Sequence, residues 1–189
     1  MKRWMMAATL LLVSAGTVSA QTAPAASWTF GVTGGYGRTW VDEGQIGPGA
    51  LIGAFADRRI SRRTGLELSA DYLRHKRSAG SSGYFEAKGN TTFLTGALIQ
   101  RFGNDSADGH LLAGLTLGIH SGRAGFPVDN LISETESTQL GLMLGAGMSI
   151  RAGARSEVGP IVRIAMLRVD RDSDPAFAIM GAVRIGLRR

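Results

Sequence analysis

The fourteen residues Thr138 to Arg151, TQLGLMLGAGMSIR, alternate between two kinds of side chain. The even-numbered positions from Leu140 to Ile150 are apolar, and most odd-numbered positions are small or polar. Side chains of a strand point alternately to its two faces, so the segment has one apolar face and one small or polar face. A helix fits less well, because each interior glycine would cost about 1 kcal/mol relative to alanine. Such a long apolar face is typical of a strand with lipid on one side and a filled interior on the other.

The first twenty residues have the pattern of a secretory signal peptide. Lys2 and Arg3 precede a short apolar run at 4–13, and Val18-Ser19-Ala20 forms a cleavage site with small residues at its first and third positions. The run is too short for a spanning helix, although an uncleaved N-terminal anchor is the alternative. We predict export with cleavage after Ala20, a linker at 21–27 and one barrel domain at 28–189.

Composition excludes several classes of site. The chain has 189 residues and no cysteine, so one domain without disulfides or thiolate metal sites is expected. The three histidines lack partners at metal-ligand spacing, and we predict no metal and no cofactor. The net charge is +6, but the basic residues are not interleaved with aromatic ones, so we predict no nucleic-acid partner.

The alternating pattern recurs along the chain and predicts eight strands. They are expected at 28–40, 48–60, 65–76, 91–102, 109–121, 135–151, 157–169 and 175–188. Short turns at 61–64, 103–108 and 152–156 would lie at one end, and the mostly longer connections 41–47, 77–90, 122–134 and 170–174 at the other. Short periplasmic turns with longer external loops are the rule for outer-membrane barrels. The predicted fold is therefore all-β, an eight-stranded antiparallel transmembrane up-and-down β-barrel.

The side chains that face lipid can be predicted strand by strand. In strand two we expect Leu51 and Phe55 to face outward. In strand four the alternation is ambiguous, and we choose Leu94, Leu98 and Phe102 as the outward residues.

The alternating strands, with four aromatic residues in the first, resemble the small outer-membrane β-barrel proteins of the OmpA/OmpX/OmpW type. The aromatic residues, expected in an interfacial girdle, are Trp28, Phe30, Tyr36 and Trp40. The resemblance implies an outer-membrane location, a structural or surface-interaction role without enzymatic activity, a monomer, and contacts with outer-membrane lipid and lipopolysaccharide. It also implies insertion by the outer-membrane assembly machinery. Such barrels commonly finish on an aromatic residue, whereas here Leu187 precedes Arg188 and Arg189, so Leu187 would substitute or recognition would be atypical.

Five charged residues are expected to face the lumen, where a charge needs a partner. They are Glu67, Asp71, Arg151, Arg163 and Arg184. An eight-stranded barrel is just wide enough for side chains to fill it. We predict a salt-bridge plug, and a gated ion path is the alternative.

Basic residues occur at both predicted rims. Arg74, Lys76 and Arg77 lie where strand three should leave the membrane, and guanidinium and ammonium groups pair well with phosphate. They could bind lipopolysaccharide phosphates or simply be a solvated loop base. A second set is expected at the periplasmic rim and comprises Arg58, Arg59, Arg62, Arg63 and Arg155.

Three other functions need to be weighed. A lipid A-modifying enzyme would need a serine hydroxyl within reach of a histidine base. Because His120 and Ser121 are consecutive residues of a strand, their side chains would face opposite ways, and Glu134 and Glu136 lie farther along the chain. A narrow porin-like channel for small solutes, including hydrophobic ones, conflicts with arginines in the lumen. A soluble lipocalin-like binder would have its long aliphatic face inside, whereas here arginines occupy the opposite face.

Overall fold

The computed structural model describes residues 27–41, 44–79, 85–104, 106–126, 131–168 and 176–189. The predicted signal peptide and nearly all of the predicted linker lie outside these ranges. No helix within them is long and apolar enough to cross a membrane.

The described residues form eight strands. They are β1 (Trp28–Val41), β2 (Gly44–Arg59), β3 (Thr64–Ala79), β4 (Phe85–Gly103), β5 (Ala107–Phe126), β6 (Leu131–Arg151), β7 (Ser156–Arg168) and β8 (Ala176–Arg188). Each strand pairs antiparallel with the next, and β8 pairs with β1 to close the barrel. The predicted fold class and strand order are confirmed.

Short turns join the strands at one end of the barrel. In the β2–β3 turn the hydroxyl oxygen of Ser61 accepts the backbone N–H groups of Arg63 and Thr64, at 3.2 and 3.0 Å. In the β4–β5 turn the side-chain oxygen of Asn104 accepts those of Ser106 and Ala107, both at 3.0 Å. Serine and asparagine favour turns through such local hydrogen bonds, and both predicted turns lie at this end.

The strands at the other end are longer than expected. The predicted loops 77–90 and 122–134 are largely strand, and β4, β5 and β6 contain 19, 20 and 21 residues. Pairing continues to Ala79↔Phe85 and to Phe126↔Leu131, and β2 begins at Gly44 inside the predicted loop 41–47. The backbone hydrogen bonds of a hairpin can therefore extend through polar sequence in which no apolar face marks a strand.

The outer surface is apolar, as the alternation predicts. On β6 the side chains of Leu140, Leu142 and Leu144 are exposed, whereas Gln139 and Met143, at positions of the opposite parity, are buried. The outward choices on β4 are also confirmed, because the three chosen residues are exposed. These are Leu94, Leu98 and Phe102.

The prediction for β2 is wrong. Leu51 and Phe55 are 5% and 4% exposed and face inward, whereas Ile52 is 66% exposed and faces outward. Glycine on the paired strand makes room for the ring, because a Cβ built on Gly31 would lie 2.5 Å from Phe55. The inward face of β1 is threonine or glycine, so the interior accepts large residues from β2.

A packed apolar cluster runs through the interior, from Ile99 and Leu112 near the short turns to Leu73 and Leu167 nearer the external end. Its larger members are Leu51, Leu73, Phe93, Ile99, Leu112, Met143, Ile161, Leu167 and Met180. On β3 the inward residues, in order from the short turn, are Glu67, Ser69, Asp71, Leu73 and His75. Along this strand, charge therefore gives way to an apolar layer, and then to a polar layer at the external end.

Candidate functional site

A network of four charged side chains occupies the interior next to the apolar layer. One nitrogen of Arg163 on β7 lies 2.7 Å from Oε1 of Glu67, and another pairs with Asp71, both on β3. Arg184 on β8 lies 2.9 Å from Oε2 of Glu67. The Thr33 hydroxyl on β1 donates to Asp71 at 3.0 Å. Two carboxylates and two guanidinium groups thus form a charge-neutral cluster.

The network crosses the barrel. In a closed ring of eight strands, β3 and β7 are four strands apart and therefore lie on opposite sides. Arg163 spans this distance, and the Arg184 guanidinium covers the Phe55 ring, 3.9 Å from its centroid. Buried ions are tolerated when they are paired and hydrogen-bonded. These ion pairs hold side chains of opposing strands together at one level of the lumen.

Arg151 does not belong to the network, which corrects the prediction that grouped it there. It is the last residue of β6, it is exposed, and its backbone N–H donates to the carbonyl of Ser106 in the β4–β5 turn. By strand alternation Arg151 belongs to the inward-facing set, but it is the last residue of the strand and its side chain does not reach the interior.

A second charged cluster, which the sequence reasoning missed, lies nearer the short turns. Arg101 on β4 pairs with Asp57 on β2 and lies 3.4 Å from Asp108 on β5. Arg59 also lies 3.4 Å from Asp108. On the neighbouring side, Arg188 lies 2.8 Å from Glu157. The inward position of Asp57, two residues from Phe55, was a usable signal for this cluster.

Histidines make further contacts inside the barrel. Nε2 of His75 lies 3.3 Å from Oγ1 of Thr91, and the same oxygen lies 3.0 Å from Nδ1 of His120. His110 lies closer to the short turns, 3.4 Å from a nitrogen of Arg184. Within the described ranges, no group of three or more histidine, aspartate and glutamate side chains is arranged to hold a metal ion.

A family model for the outer membrane protein beta-barrel domain matches residues 8–160. The chain belongs to this family. The family and the closed barrel identify the protein as an outer-membrane barrel of Gram-negative type. Because short turns lie on the periplasmic side of such barrels, we call the end with the short turns the periplasmic end. Among curated protein sequences, none matches the chain significantly.

Solved structures share the fold at low sequence identity. Neisserial surface protein A has 10% identity and a TM-score of 0.64, over 85% of this chain and 96% of that one. A major outer membrane protein from Thermus thermophilus has 14% identity and a TM-score of 0.63, over 88% and 100%. Ail, the attachment invasion locus protein of Yersinia pestis, solved with the heparin analogue sucrose octasulfate, has 12% and 0.58, over 87% and 97%. At these identities the likeness shows the fold alone.

The aromatic residues of β1 lie near both ends of the outer-membrane barrel. Near the periplasmic end Trp28 stacks on Phe30 with ring centroids 5.7 Å apart, and both are exposed. Toward the external end Tyr36 is 70% exposed and Trp40 is half-buried. Aromatic residues at two levels are the arrangement found in interfacial girdles.

At the external rim, Arg74 is exposed and follows Tyr72, which is also exposed, on the outer face of β3. The side chains of Lys76 and Arg77 lie outside the described part, but their backbone continues β3. The register aligns Lys76 with Lys88 on β4, and Lys88 with Arg123 on β5. Sequence reasoning missed the last two because it assigned both to loops.

The geometry around His120 does not place Ser121 beside a base. His120 is half-buried and contacts Thr91, whereas Ser121 is exposed. Glu136 is exposed, and the side chain of Glu134 lies outside the described part. His120 and Ser121 therefore occupy opposite faces of β5, as expected from strand alternation.

Proposed function

We propose that this outer-membrane barrel has a structural and surface-interaction role, that side chains fill its lumen, and that its external rim contacts lipopolysaccharide. The observation that carries the proposal is the pairing of Arg163 with Glu67 and Asp71 across the barrel. An apolar layer lies next to this pairing on the external side. A barrel of this size is filled by its side chains, so recognition falls to the rims.

The lipopolysaccharide contact rests on where the basic residues emerge from the lipid. Arg74 follows Tyr72, the last large uncharged outward residue of β3 whose side chain is described, which supports a position at headgroup level. The register then brings Lys76, Lys88 and Arg123 onto neighbouring strands beyond it. Arginine and lysine pair with phosphate groups through charge-assisted hydrogen bonds, which supports a contact with the phosphorylated core of the lipid.

Charge reversal tests this contact. The double variant Arg74→Glu/Lys76→Glu should retain much less lipopolysaccharide than the unaltered protein when it is purified from outer membranes in mild detergent. The matched control, Arg62→Glu/Arg155→Glu, carries the same charge change at the opposite rim and should retain the normal amount. Unchanged retention in the first variant would contradict the proposed contact.

The external extension supports a role in surface interaction. Pairing of β6 with β7 extends only to Leu140↔Arg168. Pairing of β6 with β5 extends farther, to Leu131, the first residue of β6. In the described part of the chain, β3 to β6 therefore project as a sheet beyond β7 and β8. A projecting sheet offers backbone and side-chain groups outside the lipid, where a partner could contact them.

Export by a cleaved signal peptide completes the proposal. The charged start, the short apolar run and the site at Val18-Ser19-Ala20 support cleavage after Ala20. The mass of the protein purified from outer membranes should correspond to a chain that begins at Gln21. A mass that includes residues 1–20 would instead support an uncleaved anchor.

A further inference from the structure

Exposed arginines form an arc around part of the periplasmic rim. We propose that this arc binds the phosphate groups of anionic phospholipids in the inner leaflet of the outer membrane. The residues of the arginine arc are Arg58, Arg62, Arg63, Arg155 and Arg189, all of which are exposed.

Backbone hydrogen bonds make the arc continuous. The N–H of Arg188 donates to the carbonyl of Arg155 at 2.7 Å, and the N–H of Arg189 donates to that of Trp28 at 2.8 Å. Trp28 pairs in turn with Arg58, just before the β2–β3 turn that carries the next two arginines of the arc. The arc therefore runs from the β6–β7 turn across β8 and β1 to the β2–β3 turn.

The acidic residues at this end do not neutralise the arc. Asp57, Asp108 and Glu157 are buried. Each is paired with an arginine outside the arc: Arg101, Arg59 or Arg188. Within the described ranges no carboxylate side chain is exposed at the periplasmic end, and Asp105 lies outside those ranges. The interior clusters use these carboxylates, which leaves the exposed guanidinium groups available to an external anion.

The depth of the arc favours a lipid phosphate over a polymer in the periplasm. The Arg58 guanidinium lies over the Trp28 ring, 5.5 Å from its centroid, and Trp28 stacks on Phe30. Exposed tryptophan on the outer face of a barrel marks the level of the lipid headgroups. Arg58 is therefore held at the height of the phosphates, and neighbouring arginines extend this positive surface along the rim.

Lipid selectivity measures the proposed binding directly. The purified barrel is placed in phosphatidylcholine bilayers with trace nitroxide-labelled phosphatidylglycerol or phosphatidylcholine, and spin resonance gives the fraction of each label immobilised by protein. We expect the barrel to prefer phosphatidylglycerol over phosphatidylcholine roughly threefold, since each basic residue near the membrane surface contributes measurably to the binding of anionic lipid. The triple variant Arg58→Gln/Arg62→Gln/Arg63→Gln removes three of the five arc charges and should clearly lower this preference.

Three controls establish whether the charge of the arc itself produces the preference. The triple lysine variant Arg58→Lys/Arg62→Lys/Arg63→Lys keeps the charge and should keep the preference. Arg151→Gln removes one charge at the same rim but off the arc, and should leave the preference unchanged. If the glutamine variant does not fold, the preference of the unaltered barrel should still fall with rising salt, because exposed charges are screened.

One result would overturn the proposal: a triple glutamine variant, folded by its heat-modifiable gel mobility, whose preference for phosphatidylglycerol equals that of the unaltered barrel. If that variant also loses co-sedimentation with purified cell-wall sacculi, the arc serves a cell-wall polymer instead.

Discussion

Arg163 joins opposite sides of the barrel, because its guanidinium pairs with both Glu67 and Asp71 of β3. All three side chains are almost fully buried. Taking charges out of water is costly, and the pair is tolerated because each ion has a partner of opposite sign. Removal of one partner therefore exposes the full cost of burying the other.

The substitution Glu67→Leu should destabilise the folded barrel by about 3–5 kcal/mol, because Arg163 and Arg184 would each lose a carboxylate in the interior. Reversible unfolding in urea, with lipid vesicles present, measures this loss. Arg151→Gln, at an exposed site outside the network, should change the free energy of unfolding by no more than about 0.5 kcal/mol. Equal stability of Glu67→Leu and the unaltered protein would show that the network contributes nothing.

Strand alternation was enough to predict which way four of the five proposed lumen charges point. The predicted strand 135–151 already ended at Arg151, but alternation alone could not show that its side chain is exposed there, because exposure at a strand end depends on where the neighbouring turns lie. It also gave no distances, so the pairing of Arg101 with Asp57 was visible only after the strands were placed in register.

At the scale of the element, β2 shows where an apolar pattern misleads. Leu51 and Phe55 share their alternation with Asp57, and a carboxylate cannot face lipid in the way that a leucine can. The acidic residue was therefore the better guide to the inward face. The outward face of this strand consists mainly of alanine. In the sequence, its hydrophobicity therefore differs little from that of the inward face.

Single cysteines test the orientation of β2, since the chain has none of its own. A nitroxide attached to Ile52→Cys should be strongly relaxed by oxygen dissolved in the lipid, because this position faces outward. A nitroxide on Phe55→Cys, where removal of the ring leaves space inside, should be shielded from oxygen. Equal relaxation at the two positions would contradict the assigned faces.

The extended hairpin of β5 and β6 should be dispensable for insertion. Residues 123–126 and 131–134 pair at the external end of this hairpin, beyond Ser121 and Glu136, which are polar or charged and exposed. Replacement of residues 123–134 by an Asn-Gly turn removes pairing outside the lipid only, so the variant should still insert into vesicles and keep heat-modifiable gel mobility. A variant that no longer folds would place this segment within the barrel's stable core.

At the scale of the whole molecule, the strand number and order could be predicted because each strand has an outward apolar face and every second connection is a short polar turn. The length of the external strands could not, because beyond the lipid no face of a strand has to be apolar. Segments such as 122–126 and 131–134 therefore look like loops in the sequence, although their backbones are paired.

Planar-bilayer recording tests the central claim, a membrane barrel whose lumen is filled. The purified, heat-modifiable protein should insert without stepwise conductance above the lipid baseline, because Arg163 and the apolar layer cross the interior. The double variant Asp71→Ala/Arg163→Ala, which removes one ion pair and its bulk, should show brief openings if it folds. Steady single-channel steps from the unaltered protein would contradict the account and favour a narrow channel for small solutes.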